Sequence, residues 1–329
     1  MQGSLSLKSF LIYGLILCFT ISLIFGIFSF TTECNCDNTQ TYITNDNNNN
    51  ERMKSAALPQ AYNSKSKKLS SASDFSLSSS NIKKNVNNKY KLAILVPFRD
   101  RFEELLQFVP HMTKFLKKQS IQHHIFILNQ IDRLRFNRAS LINIGFLYTK
   151  YEYDYIAMHD VDLLPLNDNL LYEYPEHGPL HIASPDFHPK YHYPNFVGGI
   201  LLIKKEHFEL LNGMSNKYWG WGLEDDEFFV RIKNAGLIVT RPKNITTGPN
   251  NTFNHIHDRN HRKRDTEKCF NQREITRRRD RETGLNTTKY QIENIQNLTI
   301  DEAPLTVLSI KLSCDRNITP WCDCSGNKE

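Results

Sequence analysis

The run Leu92-Ala-Ile-Leu-Val96, which Pro97-Phe-Arg99 follows directly, is the stretch that decides the fold. A short apolar run closed by a proline is typical of a buried strand. The residues before it, 31–89, are rich in Asn, Ser and Lys and cannot bury a core. We therefore expect a globular domain to begin abruptly with this strand.

Alternating helix and strand patterns follow that first run. The spacing of apolar residues predicts helices over 101–117 and 138–150, and apolar runs predict strands over 124–128 and 155–158. Strand, helix, strand, helix and strand in this order imply an α/β fold, with a mainly parallel central sheet and helices on its faces.

Polar or irregular residues stand at the carboxyl end of each predicted strand, where sheets of this kind bind their ligands. They are Pro97-Phe98-Arg99, Asn129-Gln130 and Asp160-Val161-Asp162. The chain has neither common type of glycine-rich phosphate loop, so a bound phosphate must be held in another way. A metal ion is the obvious substitute.

Two pairs of candidate metal ligands occur at a spacing of two residues. In extended chain such residues face the same side, so Asp160 and Asp162, or His255 and His257, can point at one ligand. Carboxylates suit Mg²⁺ or Mn²⁺, and Mn²⁺ also accepts imidazole. The alternatives are a turn or helix cap for the aspartates, structural hydrogen bonding for the histidines, and zinc as the metal.

The most specific stretch of the chain is Trp219-Gly-Trp-Gly-Leu-Glu-Asp-Asp-Glu227. Its two glycines, next to large aromatic residues, give a mobile backbone that carries stacking surfaces. Sugars bind by stacking on rings and by hydrogen bonds to carboxylates, and both groups occur together here. The alternative is that the four acids only favour a helix amino terminus, which explains one or two of them better than all four.

The amino terminus predicts a membrane anchor. Residues 10–30 are almost uninterruptedly apolar, which is about the 20 residues that a helix needs to span a bilayer. Lys8 precedes this stretch and the next basic residue is Arg52, which places residues 1–9 in the cytosol. Residues 31–89 are then a flexible luminal stem and 90–329 a luminal domain. The alternative is a cleaved signal peptide, whose apolar core is usually shorter.

Sequons and cysteines also indicate a luminal protein. Six cysteines follow the apolar stretch, an even number that suits an oxidising compartment. Spacing does not fix their pairing, although we favour Cys314 with Cys322, which close a short loop. Candidate glycosylation sites of the type Asn-x-Thr occur at Asn244, Asn250, Asn286, Asn297 and Asn317.

The net charge and the motifs of the chain indicate which classes of partner it can bind. The formal net charge of +6 is compatible with an anionic ligand such as a nucleotide-sugar. The chain has no RNA- or DNA-binding signature, such as paired metal-finger cysteines or an aromatic RNP-like strand. We therefore expect no nucleic-acid partner.

Five motifs together resemble the β-1,4-galactosyltransferase family, over residues 91 to about 322. In chain order they are Pro97-Phe-Arg-Asp-Arg101, Phe136-Asn-Arg138, Asp160-Val-Asp162, Val197-Gly-Gly-Ile200 and Trp219–Glu227. Leu128-Asn-Gln130, His188-Pro-Lys-Tyr191-His-Tyr193, Leu223 and His255-Ile-His257 are similar to the branch that galactosylates xylose on proteoglycan core proteins. This chain lacks the Met-x-x-His motif that most other branches share, and its absence argues against N-acetylglucosamine as the acceptor.

This resemblance implies a fold, a reaction and a location. The fold would be GT-A, and the reaction an inverting transfer of galactose from UDP-galactose to the 4-hydroxyl of xylose, with Mn²⁺ as cofactor. The acceptor would be a xylosylated proteoglycan core protein, at the start of the glycosaminoglycan linker. The chain would be a single-pass type II protein of the Golgi membrane.

The resemblance also implies residue roles. Asp225 would be the general base, and Asp162, His255 and His257 the metal ligands. The UDP-sugar would contact Pro97, Phe98, Arg99, Arg101, Phe136, Arg138, Asp160, Val161, Asp162 and Trp221. The acceptor or transferred sugar would contact Tyr191, Tyr193, Trp221, Gly222, Glu224, Asp225 and Asp226. The basic residues 262–264 resemble the long closing loop of the family, with a solvated surface as the alternative.

Three other functions stay open at this point. The first is a family member that acts on N-acetylglucosamine of glycoproteins or glycolipids, which a panel of acceptors would distinguish. The second is a non-catalytic sugar-binding membrane protein, which detectable turnover would exclude. The third is a metal-dependent hydrolase, which would release free sugar without an acceptor.

Overall fold

The computed structural model describes residues 89–257 and 262–325. The predicted cytosolic tail, the membrane anchor and nearly all of the predicted stem lie outside these residues. Of the helices that are described, none combines the length and the apolar character needed to cross a bilayer.

The elements predicted from the first half of the domain are confirmed. Each strand is an apolar run, and the first helix buries the apolar stripe that predicted it, including Leu105, Phe108 and Met112. The observed bounds are β1 Lys91–Phe98, α1 Phe102–Lys118, β2 Gln122–Gln130, α2 Arg138–Thr149 and β3 Tyr155–His159.

The second half of the domain adds shorter elements and a long hairpin. The strands are β4 Leu163–Pro165, β5 Leu180–His181, β6 Ile200–Lys204, β7 Phe253–His255, β8 Tyr290–Ile300 and β9 Ala303–Leu312. The helices are α3 Lys205–Leu210, α4 Glu224–Asn234 and α5 Gln272–Ile275.

Seven strands form one sheet in the order β5-β6-β3-β1-β2-β9-β8. The four central strands, from β3 to β9, run parallel, whereas β6 pairs antiparallel with β3 and β8 with β9. A mixed α/β fold with a mainly parallel centre is therefore confirmed. The sequence analysis missed that the final hairpin inserts β9 beside β2.

Side chains of β1 alternate between two hydrophobic layers. Leu92, Ile94 and Val96 pack with α1 on one face, while Ala93 and Leu95 pack with α2 on the other. All five are fully buried. Burial on both faces fixes the register of β1, and with it the position of the polar residues that follow Val96.

Two disulfides hold the carboxyl-terminal region. Cys314 is bonded to Cys322, the pairing that the sequence favoured, and Cys269 is bonded to Cys324. The second bond ties the segment before α5 to the end of the described chain, 55 residues later.

Candidate active site

A cavity of about 850 Å³ lies beyond the carboxyl ends of β1 and β3. Nearly all the residues that the sequence analysis assigned to metal, UDP-sugar or acceptor are on its walls. They are Pro97, Arg99, Arg101, Phe136, Arg138, Asp160, Val161, Asp162, Tyr191, Tyr193, Trp221, Gly222, Glu224, Asp225, Asp226, His255 and His257.

Two residues at the strand ends, Phe98 and Gln130, do not line the cavity. Phe98 is only 3% exposed and belongs to the hydrophobic core, because successive residues of a strand point to opposite faces and its neighbour Pro97 faces the cavity. Gln130 is also buried. Its Oε1 accepts from the Asn137 backbone N–H and its Nε2 donates to Asp132, so it supports the following loop instead of a ligand.

A small second sheet brings the metal-ligand candidates together. Strand β4 pairs antiparallel with β7, so Leu163 lies opposite His255, and the Ile256 N–H donates to the Asp162 carbonyl at 2.9 Å. His257 Nδ1 is 3.1 Å from Asp162 Oδ2, and His255 Nε2 is 4.0 Å from Asp162 Oδ1. The two histidines thus reach the same carboxylate from extended chain.

The electrostatics of this group suit a metal ion. Burial lowers the pKa of His255 to about 4, so its ring is neutral and keeps a lone pair at neutral pH. Burial acts to raise the pKa of Asp162, but the His257 hydrogen bond and neighbouring positive charge outweigh it and the pKa is lowered. One carboxylate and two imidazoles form a donor set that Mn²⁺ accepts, so these residues fit the ion.

Two cationic side chains contact the imidazole rings of His255 and His257. Lys190 Nζ is 2.8 Å from His255 Nδ1, and Arg101 NH1 is 3.3 Å from His257 Nδ1. Across residues 89–257 and 262–325, no three His, Cys, Asp or Glu side chains already surround one point as metal ligands do. A metal ion bound through either Nδ1 atom would have to displace the cation that contacts it.

Arg138 links the two acidic sides of the cavity. It begins α2, and its NH2 and Nε each lie 2.9 Å from Asp160 Oδ1, while its NH1 is 3.8 Å from Glu224 Oε1. Burial raises the pKa of Asp160, and the guanidinium opposes that rise. The side chain thus keeps two partly exposed carboxylates side by side, Asp160 directly after β3 and Glu224 at the start of α4.

The candidate base lies in the first turn of α4. Burial, and then the charges of Glu224 and Asp226, raise the pKa of Asp225 to about 8. Its carboxylate packs on the backbone of Gly198, where an added Cβ would meet Asp225 Oδ2 at 2.7 Å. The fourth acid of the motif, Glu227, points away from the cavity and forms a buried ion pair with an arginine of the same helix.

An aromatic wall closes the other side of the cavity. Trp221 is 45% exposed, and the Arg264 guanidinium carbon lies 4.7 Å from its ring centroid and 5.8 Å from that of Tyr191. The Tyr191 hydroxyl is buried, and burial raises its pKa, whereas the nearby Arg264 guanidinium acts to lower it. Burial, followed by the charges of Asp225 and Asp226, raises the pKa of Tyr193, so its hydroxyl stays protonated and can donate.

Family models match two parts of the chain. The model described as the N-terminal region of glycosyl transferase group 7 matches residues 46–175, and the one described as the N-terminal domain of galactosyltransferase matches 178–256. Beta-1,4-galactosyltransferase 7 of Drosophila melanogaster is 71% identical over 238 residues, which cover 72% of this chain and 74% of that protein. The chain belongs to the β-1,4-galactosyltransferase family.

Two further relatives come from other animals. Beta-1,4-galactosyltransferase 7 of Homo sapiens is 58% identical over 233 residues, covering 71% of each chain. The xylosylprotein 4-beta-galactosyltransferase of Caenorhabditis elegans is 50% identical over 238 residues, covering 71% of this chain and 82% of that one. By contrast, human beta-1,4-galactosyltransferase 1 is 33% identical. The similarity to the xylose-specific branch of the family is thereby confirmed.

Solved structures support the GT-A-like fold of this β-1,4-galactosyltransferase family member. The catalytic domain of the Drosophila enzyme in complex with xylobiose has a TM-score of 0.71 and 71% identity, covering 72% of this chain and 100% of that one. A variant of that enzyme, in complex with manganese, UDP-Gal and xylobiose, has the same scores.

The main residue that the sequence analysis missed is Arg135, which precedes the family motif Phe136-Asn-Arg138. Its guanidinium binds both carboxylate oxygens of Asp265 at 2.8 Å, and it also donates to Gln272 and to the Glu267 carbonyl. Asp265 in turn accepts the Trp221 N–H on its carbonyl at 2.7 Å. Arg135 therefore fixes the segment that supports Trp221, a role for which its position beside the motif was the only signal.

Proposed function

We propose that this protein transfers galactose from UDP-galactose to the 4-hydroxyl of xylose on proteoglycan core proteins, with inversion and with Mn²⁺ as cofactor. The observation that carries the proposal is Asp225, a carboxyl group of raised pKa in the cavity that also holds Asp162, His255 and His257. The names of the relatives and the manganese, UDP-Gal and xylobiose complex of the Drosophila variant support the same reaction.

Asp225 is the general base of this mechanism. Inversion requires the xylose hydroxyl to attack the sugar carbon from the side opposite the leaving UDP, and the base takes its proton. A carboxyl whose pKa is raised to about 8 is a stronger base than an ordinary one, and positioned bases contribute about 10²–10⁴-fold. Arg138 lowers the pKa of Asp225 and so keeps part of it ionised at neutral pH.

Asp162, His255 and His257 would hold the manganese ion. When bound, Mn²⁺ supplies positive charge to the diphosphate that departs. The protein's own part is to keep the donor atoms together through the β4–β7 pairing and to keep His255 neutral. Tyr191 and Arg264 add a hydroxyl and a guanidinium on the same cavity wall, and both can donate to phosphate oxygens.

Trp221 and Tyr193 position the acceptor. A xylose ring can stack on the exposed indole, while the Tyr193 hydroxyl and the carboxylates of Glu224 and Asp226 bind its hydroxyl groups. The segment that carries Trp221 also lines the cavity, and by closing over the bound sugars it would keep out water that otherwise hydrolyses the donor.

The protein's location is part of the proposal. We infer a Golgi membrane protein of type II, with residues 1–9 in the cytosol, 10–30 as anchor, 31–89 as stem and the catalytic domain in the lumen. The two disulfides suit an oxidising compartment. The sequon asparagines are all exposed, as glycan attachment requires: Asn244, Asn250, Asn286, Asn297 and Asn317.

The test is to incubate the purified full-length protein with UDP-galactose, Mn²⁺ and either a β-xyloside or an N-acetylglucosaminide. We expect galactosylated xyloside only, with activity lost on chelation, and Asp225→Asn should abolish transfer while UDP still binds. Product on the N-acetylglucosaminide alone would refute xylose as the acceptor. Full activity of Asp225→Asn would refute the assignment of Asp225 as the general base.

A further inference from the structure

The positive charge of the chain is concentrated in one segment, residues 262–281, called here the basic tract. It holds nine Lys or Arg and four Asp or Glu, a balance of +5, against +6 for the whole chain of 329 residues. The rest of the protein is therefore close to neutral, and the basic tract dominates its electrostatic field.

The acids of the basic tract do not offset this charge, because cations elsewhere in the fold bind two of them. Asp265 is bound by Arg135. Asp280 lies 3.2 Å from Lys217 Nζ and 3.7 Å from Arg231 NH2, and its pKa is lowered, since hydrogen bonds from neighbouring hydroxyls and the Lys217 charge outweigh its burial. Both carboxylates are thus neutralised from the protein side and leave the outer surface positive.

Four arginines of the basic tract, Arg273, Arg277, Arg279 and Arg281, are exposed and are called here the outer arginines. None of them forms an ion pair with another residue in the ranges 89–257 and 262–325. They do not line the cavity either, so they are not placed to bind the UDP-sugar diphosphate. A neutral sugar such as xylose gives them no partner.

The backbone that carries the outer arginines is held firmly. The Cys269–Cys324 disulfide fixes its start, the buried Gln272 side chain binds Arg135 and the Trp219 carbonyl, and the Thr276 carbonyl accepts the Tyr218 hydroxyl. A charged partner therefore meets side chains on an ordered backbone, which reduces the entropy lost on binding.

The basic tract is continuous with the cavity rim. Lys268 lines the cavity, and its Nζ donates to the Trp221 carbonyl at 3.2 Å. The charge of Arg273 acts on Lys268 and helps to lower the pKa of its amine, after burial and the charge of Arg135. When the xylose of an acceptor occupies the cavity, the polypeptide that carries it must pass over the cavity rim. A polypeptide that passes over the rim at Lys268 would cross the outer arginines.

We propose that the outer arginines bind acidic residues of the acceptor polypeptide, on the chain that flanks the xylosylated residue. This inference rests on the proposed function, since it requires a xylosylated protein as the acceptor. Binding there adds affinity for the polypeptide without touching the reacting atoms. The outer arginines thus select acceptors by the charge around the sugar and leave the sugar itself to the cavity.

The test uses the full-length enzyme and three acceptors. These are a xylosylated peptide with Asp and Glu around the sugar, the same peptide with Asn and Gln in their place, and a neutral β-xyloside. The variant Arg273→Gln/Arg277→Gln/Arg279→Gln should raise KM for the acidic peptide about tenfold, with kcat unchanged, because each exposed charge pair contributes modestly. Its kcat/KM for the neutral peptide and the xyloside should stay within about twofold of wild type.

The matched control removes the same charge elsewhere. Lys114, Lys117 and Lys243 are also exposed, and Lys114→Gln/Lys117→Gln/Lys243→Gln should leave all three acceptors unchanged. Added salt should weaken wild-type activity on the acidic peptide more than on the xyloside, because exposed charges are screened over about 8 Å at physiological ionic strength.

The outcomes separate this inference from the proposed function. No galactosylation of the β-xyloside by the wild type would refute the proposed function itself. With that activity present, an equal loss on all three acceptors would mean that the outer arginines support the fold or the cavity, and would overturn the inference. An unchanged KM for the acidic peptide in the arginine variant would overturn it as well.

Discussion

Gly198 determines where the candidate base can lie, and its replacement by alanine tests the mechanism without removing any polar group. The new Cβ would stand 2.7 Å from Asp225 Oδ2 and 2.6 Å from Phe196 Cε2. Restoring ordinary contact at about 3.4 Å requires the carboxylate to move by about 0.7 Å. Displacements of about 1 Å can cost about 10²-fold in rate, so we expect kcat to fall about 10- to 100-fold.

Steady-state kinetics with UDP-galactose and a β-xyloside would measure this effect. KM for UDP-galactose should change little, because the atoms that the added Cβ meets belong to Asp225 and Phe196 and not to Asp162, His255 or His257. The free energy of unfolding should fall as well, by about 1–3 kcal/mol, because the added methyl group overpacks this site. Gly248→Ala is the matched control, because an added Cβ there meets nothing within 4 Å. A Gly198→Ala enzyme with wild-type kcat would refute the assignment of Asp225 as the base.

Three other perturbations test separate parts of the site. We expect kcat/KM to fall below about pH 8, as Asp225 becomes protonated. Arg138→Gln should move this fall to higher pH, because the guanidinium lowers the pKa of Asp225 in the wild type and its removal lets that pKa rise. An unmoved profile would contradict the coupling between the two residues. His257→Ala should weaken Mn²⁺ binding by about tenfold or more in calorimetric titration, and an unchanged titration would exclude it as a ligand. Gly220→Ala should lower the unfolding midpoint more than Gly222→Ala. Both glycines have positive φ, but only at Gly220 would an added Cβ collide with the Arg135 guanidinium. Equal midpoints of the two variants would argue against that contact.

The sequence predicted the first half of the domain well because its signals are local. The run from Leu92 to Val96 is buried on both faces, so it is apolar throughout, and a helix with one buried face shows helical spacing. The position of the cavity followed from the rule that ligands bind at strand ends, which held for β1 and β3.

What the sequence did not predict depends on contacts between distant segments. Phe98 is an exception, because it was assigned to the UDP-sugar together with its neighbours although local strand alternation places its side chain in the core. The insertion of β9 next to β2 joins residues about 180 positions apart, for example Ile125 with Leu305, and no local pattern encodes that pairing. Arg135 was missed for the same reason, because its partners Asp265 and Gln272 lie far along the chain.

The crowding of acids explains why the cavity needs a cation at its centre. Asp160 and Glu224 belong to different elements, and burial raises the pKa of each, so two ionised carboxylates would repel at low dielectric. Arg138 lies between them and acts against both shifts. The same guanidinium lowers the pKa of Asp225, so it influences the strand that bears the metal-ligand motif and the helix that bears the base. A single, partly exposed cation thus couples Asp160 with the acids of α4, and a change in charge at one of them must alter proton affinity at the others.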